Sequence, residues 1–167
     1  LPDAPAVPGG HVVAMINFDM VGRLGGSPEA TVPTLSVQGS DSATEWKDFI
    51  LPACQQSGLS CKLGGDGYGP SDMTPFYAAG VPVLFFFTGA HSDYHKPSDD
   101  TPLVNFAGEK QVLELAVKAI QVLDKQPKLK FQQTKANEED TPRFKVTLGI
   151  MPDYTFEGEG VDRKSVV

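Results

Sequence analysis

Two stretches of this 167-residue chain concentrate side chains able to hold a metal or move a proton. The denser is HSDYHKPSDD, residues 91–100, which places two histidines and three aspartates directly after an apolar run. Imidazole nitrogen and carboxylate oxygen are ligands that zinc accepts. His91 and His95 have H-x-x-x-H spacing, but Pro97 and the preceding Thr88-Gly89 predict a loop, and the central Glu of a helical zinc-protease motif is missing. By residue type alone the segment suits a hydrogen-bonded polar loop as well as a metal site. The second stretch is INFDMVGR, where Asp19 follows six mostly apolar residues. An acid so placed is costly unless paired, hydrogen-bonded or metal-bound. Asp19 can therefore be read as a metal ligand, a helix N-cap or a partner for Arg23.

Several elements must position these residues. The β-branched and apolar run HVVAMINF, residues 11–18, predicts an interior strand covered on both faces. A second short strand is expected at 35–38, after which Ser42 or Thr44 caps a helix running through Trp46, Phe49 and Ile50 toward Gly58. GGDGYGPS, residues 64–71, reads as a flexible loop leading to a short helix at 72–79, stopped by Gly80, and then to a buried strand at 83–87. From 107 to 123, Val112, Leu115, Ala116, Ala119, Ile120 and Leu123 recur at helical spacing and predict an amphipathic helix closing the domain. Strands alternating with helices imply an α/β fold with a largely parallel sheet, in which sites form beyond the carboxyl ends of the strands. Asp19 and His95 each follow such an end and are expected to converge there.

Composition narrows the partners. A net charge of -7 with no basic stripe disfavours nucleic acid and anionic membrane surfaces, and no apolar run reaches the roughly 18 residues of a membrane span. Cys54 and Cys61, seven positions apart across an expected helix end and turn, suit either a local disulfide or two buried thiols. The chain opens on LPDAPAVPGG rather than methionine, so removal of an upstream segment is expected. Residues 129–142 are polar, charged and proline-bounded and read as a linker between a domain at 1–128 and a short β segment at 143–167.

NFDMVGR at 17–23, SDMTPF and AAGVPVLFFFTG within 71–89, and HSDYHKPSDD, in that order and with those gaps, resemble the co-catalytic di-zinc exopeptidase family that includes the bacterial leucyl aminopeptidases. The resemblance spans about residues 12–123 and implies the later half of a three-layer, phosphorylase/hydrolase-like catalytic domain, with a mostly parallel but incomplete sheet. It implies that Asp19 completes the coordination of one zinc and His95 that of the other. The metals would lie about 3.5–4 Å apart and share an activated water. A further His, a bridging Asp and a Glu pair that includes the general base would come from chain N-terminal to this sequence. No catalytic base is therefore assigned here, and the isolated chain is expected to bind zinc weakly or not at all. His91-Ser92-Asp93 and Glu138-Glu139 imitate the upstream ligand motifs but stand in the wrong order.

Met73 replaces a histidine frequent in the family, a change expected to alter the pocket lining. Tyr94, Asp72, His91 and Asp99 are candidates for lining the substrate pocket or supporting a ligand. Tyr94 can point into the pocket or stack in the core, and Asp99 and Asp100 can orient His95 through its second nitrogen or cap the turn. RFKVTLGIMPDYTFEGEGV resembles the first strands of a PDZ-like domain. The implied whole is a zinc aminopeptidase acting on peptides, extracellular or periplasmic, with the N-terminal half of the same domain as partner. A glutaminyl cyclase-like acyltransferase and a receptor-like relative without metals are the alternatives. Arg23 and the PDZ-like strand favour the peptidase, and the paired ligands argue against the receptor.

Overall fold

A computed structural model of the protein describes residues 11–25 and 32–134, and the backbone of 150–152 and 163–166. Its centre is β4 (Val83–Phe87), whose five residues VLFFF are all buried. On a strand, alternate side chains face opposite ways. Leu84 and Phe86 accordingly join one apolar cluster, with Trp46, Ile50, Val112 and Leu115, while Val83, Phe85 and Phe87 join another, with Met73 and Tyr77. The layers follow from that alternation. Helices α1 (Trp46–Gln56) and α3 (Phe106–Leu123) supply the first cluster, and α2 (Thr74–Ala78) the second.

Around β4 stand β1 (Met15–Phe18), β2 (Thr34–Gln38) and β3 (Ser60–Gly64), in the order β1-β4-β2-β3. β1 runs parallel to β4, β2 parallel to β3, and β2 antiparallel to β4, giving a mixed, mostly parallel open sheet. The α/β expectation is met, with one strand pairing reversed. Two strands differ from the sequence reading. β1 lies at the sheet edge among the described residues and begins only at Met15, because Met15 is the first residue paired with β4; Val13 before it is 45% exposed. β3 was not foreseen, since SCKLG offers little apolar alternation and its strand character comes from pairing along β2. Cys61 therefore lies on a strand rather than a turn. It is joined by a disulfide to Cys54 on α1, with the Cα atoms 6.1 Å apart.

Ser42 has a different task from the expected cap. Helix α1 begins after Glu45 with no side-chain cap, while Ser42, in the 3-10 turn Ser40–Ser42, is fully buried. β2 stops at Gln38, leaving the N–H and C=O of Val83 without a strand partner on that side. The Ser42 hydroxyl replaces it, accepting from Val83 N at 2.8 Å and from Trp46 Nε1 at 3.2 Å, and donating to Val83 O at 3.0 Å. A hydroxyl offers one donor and two acceptor positions, so it is saturated. Gly39 makes the turn possible: its φ is +77°, and a Cβ there would stand 2.8 Å from Val83 O.

Helix α3 spans the expected segment, with Asn105 as its N-cap accepting from Gly108 N at 2.9 Å. Val112, Leu115, Ala116 and Ala119 are buried as foreseen, but Ile120 is 50% exposed. The buried stripe is narrower than the periodicity suggests because α1 covers only part of the helix. After α3 the chain returns across the domain. Leu129 is buried, Phe131 bridges to Ala43, Gln132 N donates to Ser42 O at 2.8 Å, and Thr134 N donates to Tyr77 Oη at 2.9 Å. Glu45 receives Lys130 N at 3.2 Å. Burial opposes its charge, yet bonds from Thr44, its own N–H and Lys130 N, with the Lys130 ammonium, outweigh this and hold the carboxyl below its ordinary range. This strap occupies the first part of the stretch read as a linker; the remainder, 135–142, lies outside the described residues. Backbone strands β5 (Ile150–Pro152) and β6 (Arg163–Val166) pair antiparallel within the C-terminal β segment.

Ser42→Ala would leave both Val83 backbone groups and Trp46 Nε1 unpartnered, and should lower the unfolding free energy by about 3 kcal/mol, read from urea denaturation. Replacing Cys54 and Cys61 together by alanine opens a short loop. It should destabilise the protein by about 2.5 kcal/mol in the same measurement, with reducing agent producing the same shift in the wild type.

Candidate functional site

Because β1 and β4 are parallel neighbours, the segments that follow them leave the same edge of the sheet. Asp19 N donates to Phe86 O at 3.3 Å, carrying the ladder one residue past β1, and Met20 O accepts from Thr88 N at 3.4 Å and from the Thr88 hydroxyl. The two chains are thus tied side by side where the site loops begin. Among the described residues, the non-glycine residues in left-handed backbone are Met20 (φ 50°) and His95 (φ 55°). Each departure costs on the order of 1 kcal/mol and persists only where surroundings enforce it.

Asn17 and Asp19 fall on the same face of the strand by alternation. Asn17 is buried, and its Nδ2 donates to Ser71 Oγ at 2.7 Å and lies 3.8 Å from Met73 Sδ. Ser71 Oγ in turn donates to Asp19 Oδ2 at 2.9 Å. Asp19 is therefore neither an N-cap nor the partner of Arg23. Its carboxylate is held from one side, and Oδ1 has no hydrogen bond or ion pair among the described residues. Asn17 and Ser71 went unassigned in the sequence. The signal for Asn17 was present, since a lone amide in an apolar strand needs a partner, but nothing local named Ser71 as that partner.

His95 is exposed and packs edge-on against Tyr94, with ring centroids 4.0 Å apart. Tyr94 does not enter the core; it stands between His95 and His91, the latter at 6.5 Å. The His91 side chain is 16% exposed, its Nε2 3.8 Å from Asp99 Oδ2 and its Nδ1 buried without a hydrogen bond among the described residues. Asp99 faces Arg23 and His91, not His95, and Asp100 caps the turn Thr101–Leu103 by accepting from Thr101 N at 2.7 Å. The reading in which either aspartate orients His95 is thus not realised, because Arg23 is the stronger partner for Asp99. Asp72 is exposed beside Ser71.

The donor chemistry suits a zinc ion: Asp19 Oδ1 and the His95 ring are open, and they are a hard oxygen and an imidazole nitrogen. The number does not suffice for a complete site. Among the described residues, no three His, Cys, Asp or Glu side chains are grouped to hold a metal, and the decoy His91 and Asp93 do not make up such a group. Glu138 and Glu139 lie outside the described residues.

Ser71→Ala removes the donor to the Asp19 carboxyl group and strands the Asn17 amide. It should destabilise the protein by about 1.5 kcal/mol in urea denaturation, whereas Ser71→Thr, which keeps the hydroxyl, should restore most of the loss.

Comparisons with known proteins agree with this fold. A crystal structure of the Legionella pneumophila LapA aminopeptidase superposes with a TM-score of 0.56 at 23% sequence identity, over 70% of this chain and 32% of that one. The chain therefore spans about a third of the length of that structure, and the likeness concerns the fold. Among curated proteins none matches the chain. The sequence model of peptidase family M28 matches residues 4–120, which include both site loops and every helix but the end of α3, and the chain belongs to peptidase family M28.

Proposed function

We propose that this chain forms the C-terminal part of the catalytic domain of a zinc aminopeptidase, removing residues from the free N-termini of peptides. The observation that carries the reading is the joint exit of the Asp19 and His95 loops from one edge of paired parallel strands, each loop turning through left-handed backbone. In this reading Asp19 supplies a carboxylate to one zinc and His95 an imidazole to the other. Zinc held there would supply Lewis acidity, activating water and polarising the scissile carbonyl. The protein's own groups prepare that chemistry. Ser71, held by Asn17, engages one oxygen of Asp19 and leaves the other without a hydrogen bond among the described residues, and the Thr88 bonds to Met20 O keep the two ligand loops together.

The remaining ligands and the general base belong to the N-terminal half of the domain, for which the outer edge of β1, unpaired among the described residues, offers a pairing site. On this account the isolated chain holds zinc weakly, because each metal would keep a single protein ligand where three or more are usual. The Cys54–Cys61 disulfide supports an exported protein, extracellular or periplasmic, since such bridges persist in oxidising compartments. The β5/β6 pairing accords with a PDZ-like start to a following domain.

The protein with its complete catalytic domain should hydrolyse aminoacyl anilides, lose activity to a chelator and regain it with zinc. Asp19→Ala and His95→Ala should each lower bound zinc and reduce kcat/KM by at least about 100-fold. Cyclisation of N-terminal glutaminyl peptides in place of anilide hydrolysis would establish the acyltransferase alternative instead.

A further inference from the structure

Arg23 stands four residues after Asp19, yet its contacts lie on the other ligand loop. Its Nη2 is 2.5 Å from Asp99 Oδ1 and its Nη1 3.9 Å from Asp93 Oδ2, with the arginine side chain 19% exposed. The second oxygens are engaged as well: Ser98 Oγ donates to Asp93 Oδ1 at 2.8 Å, and His91 Nε2 faces Asp99 Oδ2 at 3.8 Å. Asp93 precedes His95 by two residues and Asp99 follows it by four, so one planar guanidinium holds both sides of the turn that displays His95.

The loop's ends are fixed separately. Thr88 bonds Met20 O at its start, and Asn105 N donates to Gly22 O at 2.8 Å at its finish. Its middle has no backbone hydrogen bond to the rest of the domain among the described residues. Arg23 supplies the missing attachment, and the backbone at His95 would otherwise relax from its left-handed conformation. Among the described residues no hydrogen bond or ion pair joins this network to Asp19 or to His95, so its influence passes through the backbone and, on the His95 side, the ring contacts of His91, Tyr94 and His95.

We propose that Arg23 is a positioning residue that sets the spacing of Asp19 and His95 by clamping the His95 turn, Asp93 to Asp99, to the loop that follows Asp19. The inference rests on the zinc reading of those two side chains. Lysine would not reproduce the clamp, because an ammonium on a flexible stem lacks the fork that spans two carboxylates.

The test uses the full-length protein with Arg23→Ala, Arg23→Lys, Asp99→Asn and the Arg23→Ala/Asp99→Asn pair. Competition with a chromophoric chelator should show zinc held about 10- to 100-fold more weakly in Arg23→Ala, as is usual when a ligand's supporting group is lost. Arg23→Lys should recover only part, and the double variant should be no worse than the weaker single one. In the metal-free protein, amide exchange across 91–100 should accelerate in Arg23→Ala while β4 and α3 keep wild-type rates. Asp93→Asn, at the longer contact, takes the place of Arg23→Ala should that variant fail to fold. Zinc affinity within twofold of wild type, or exchange accelerated uniformly over the whole domain, would overturn the proposal. A wild-type protein that binds no zinc would instead overturn the reading beneath it.

Discussion

The parallel pairing of β1 with β4 is the constraint on which the rest depends. β4 is buried along its whole length and β1 is registered against it residue for residue, Met15 to Val83 through Phe18 to Phe86. Parallel strands in adjacent positions deliver their following loops to one edge, whatever the loops contain. The points at which the two loops start, Asp19 and Thr88, are thus set by backbone hydrogen bonds of the core, and side-chain contacts such as Ser71 to Asp19 and Arg23 to Asp99 act beyond them.

The features legible in the sequence were those with a local cause. The run VLFFF is apolar on both faces and was read as a buried strand, while the α3 segment carried a helical period and the Asp19 and His95 positions carried recognisable strings. What escaped was decided at long range. β3 is a strand because β2 lies beside it, and Ser42 is a ladder substitute because β2 ends early. Ile120 obeys the apolar period of α3 and is still exposed, since burial depends on what the opposing elements reach.

The same division holds at the site. The two ligand candidates could be named from the chain, but their supporting groups could not. Asp99 seemed a natural companion for His95 by proximity in sequence, and it faces Arg23 from a distant loop instead. Short polar side chains in loops satisfy whichever partner the fold brings near. A residue's neighbours in sequence are therefore weak evidence for its neighbours in space.

The Arg23 to Asp99 contact has a kinetic meaning as well as a geometric one, for it closes a loop of 76 residues, against 52 for Ser71 to Asp19 and 41 for Ser42 to Val83. Contacts of such span contribute only after the intervening chain has been ordered, and the entropy of closure grows with its length. The core ladder and its serine substitute need nothing from the His95 turn, whose middle, among the described residues, is tied to the domain through Arg23 and not by backbone hydrogen bonds. A nascent or heat-stressed molecule would then hold a finished sheet and an unfinished site, so exposure to proteases at 91–100 would report on maturation of the protein rather than on its global unfolding.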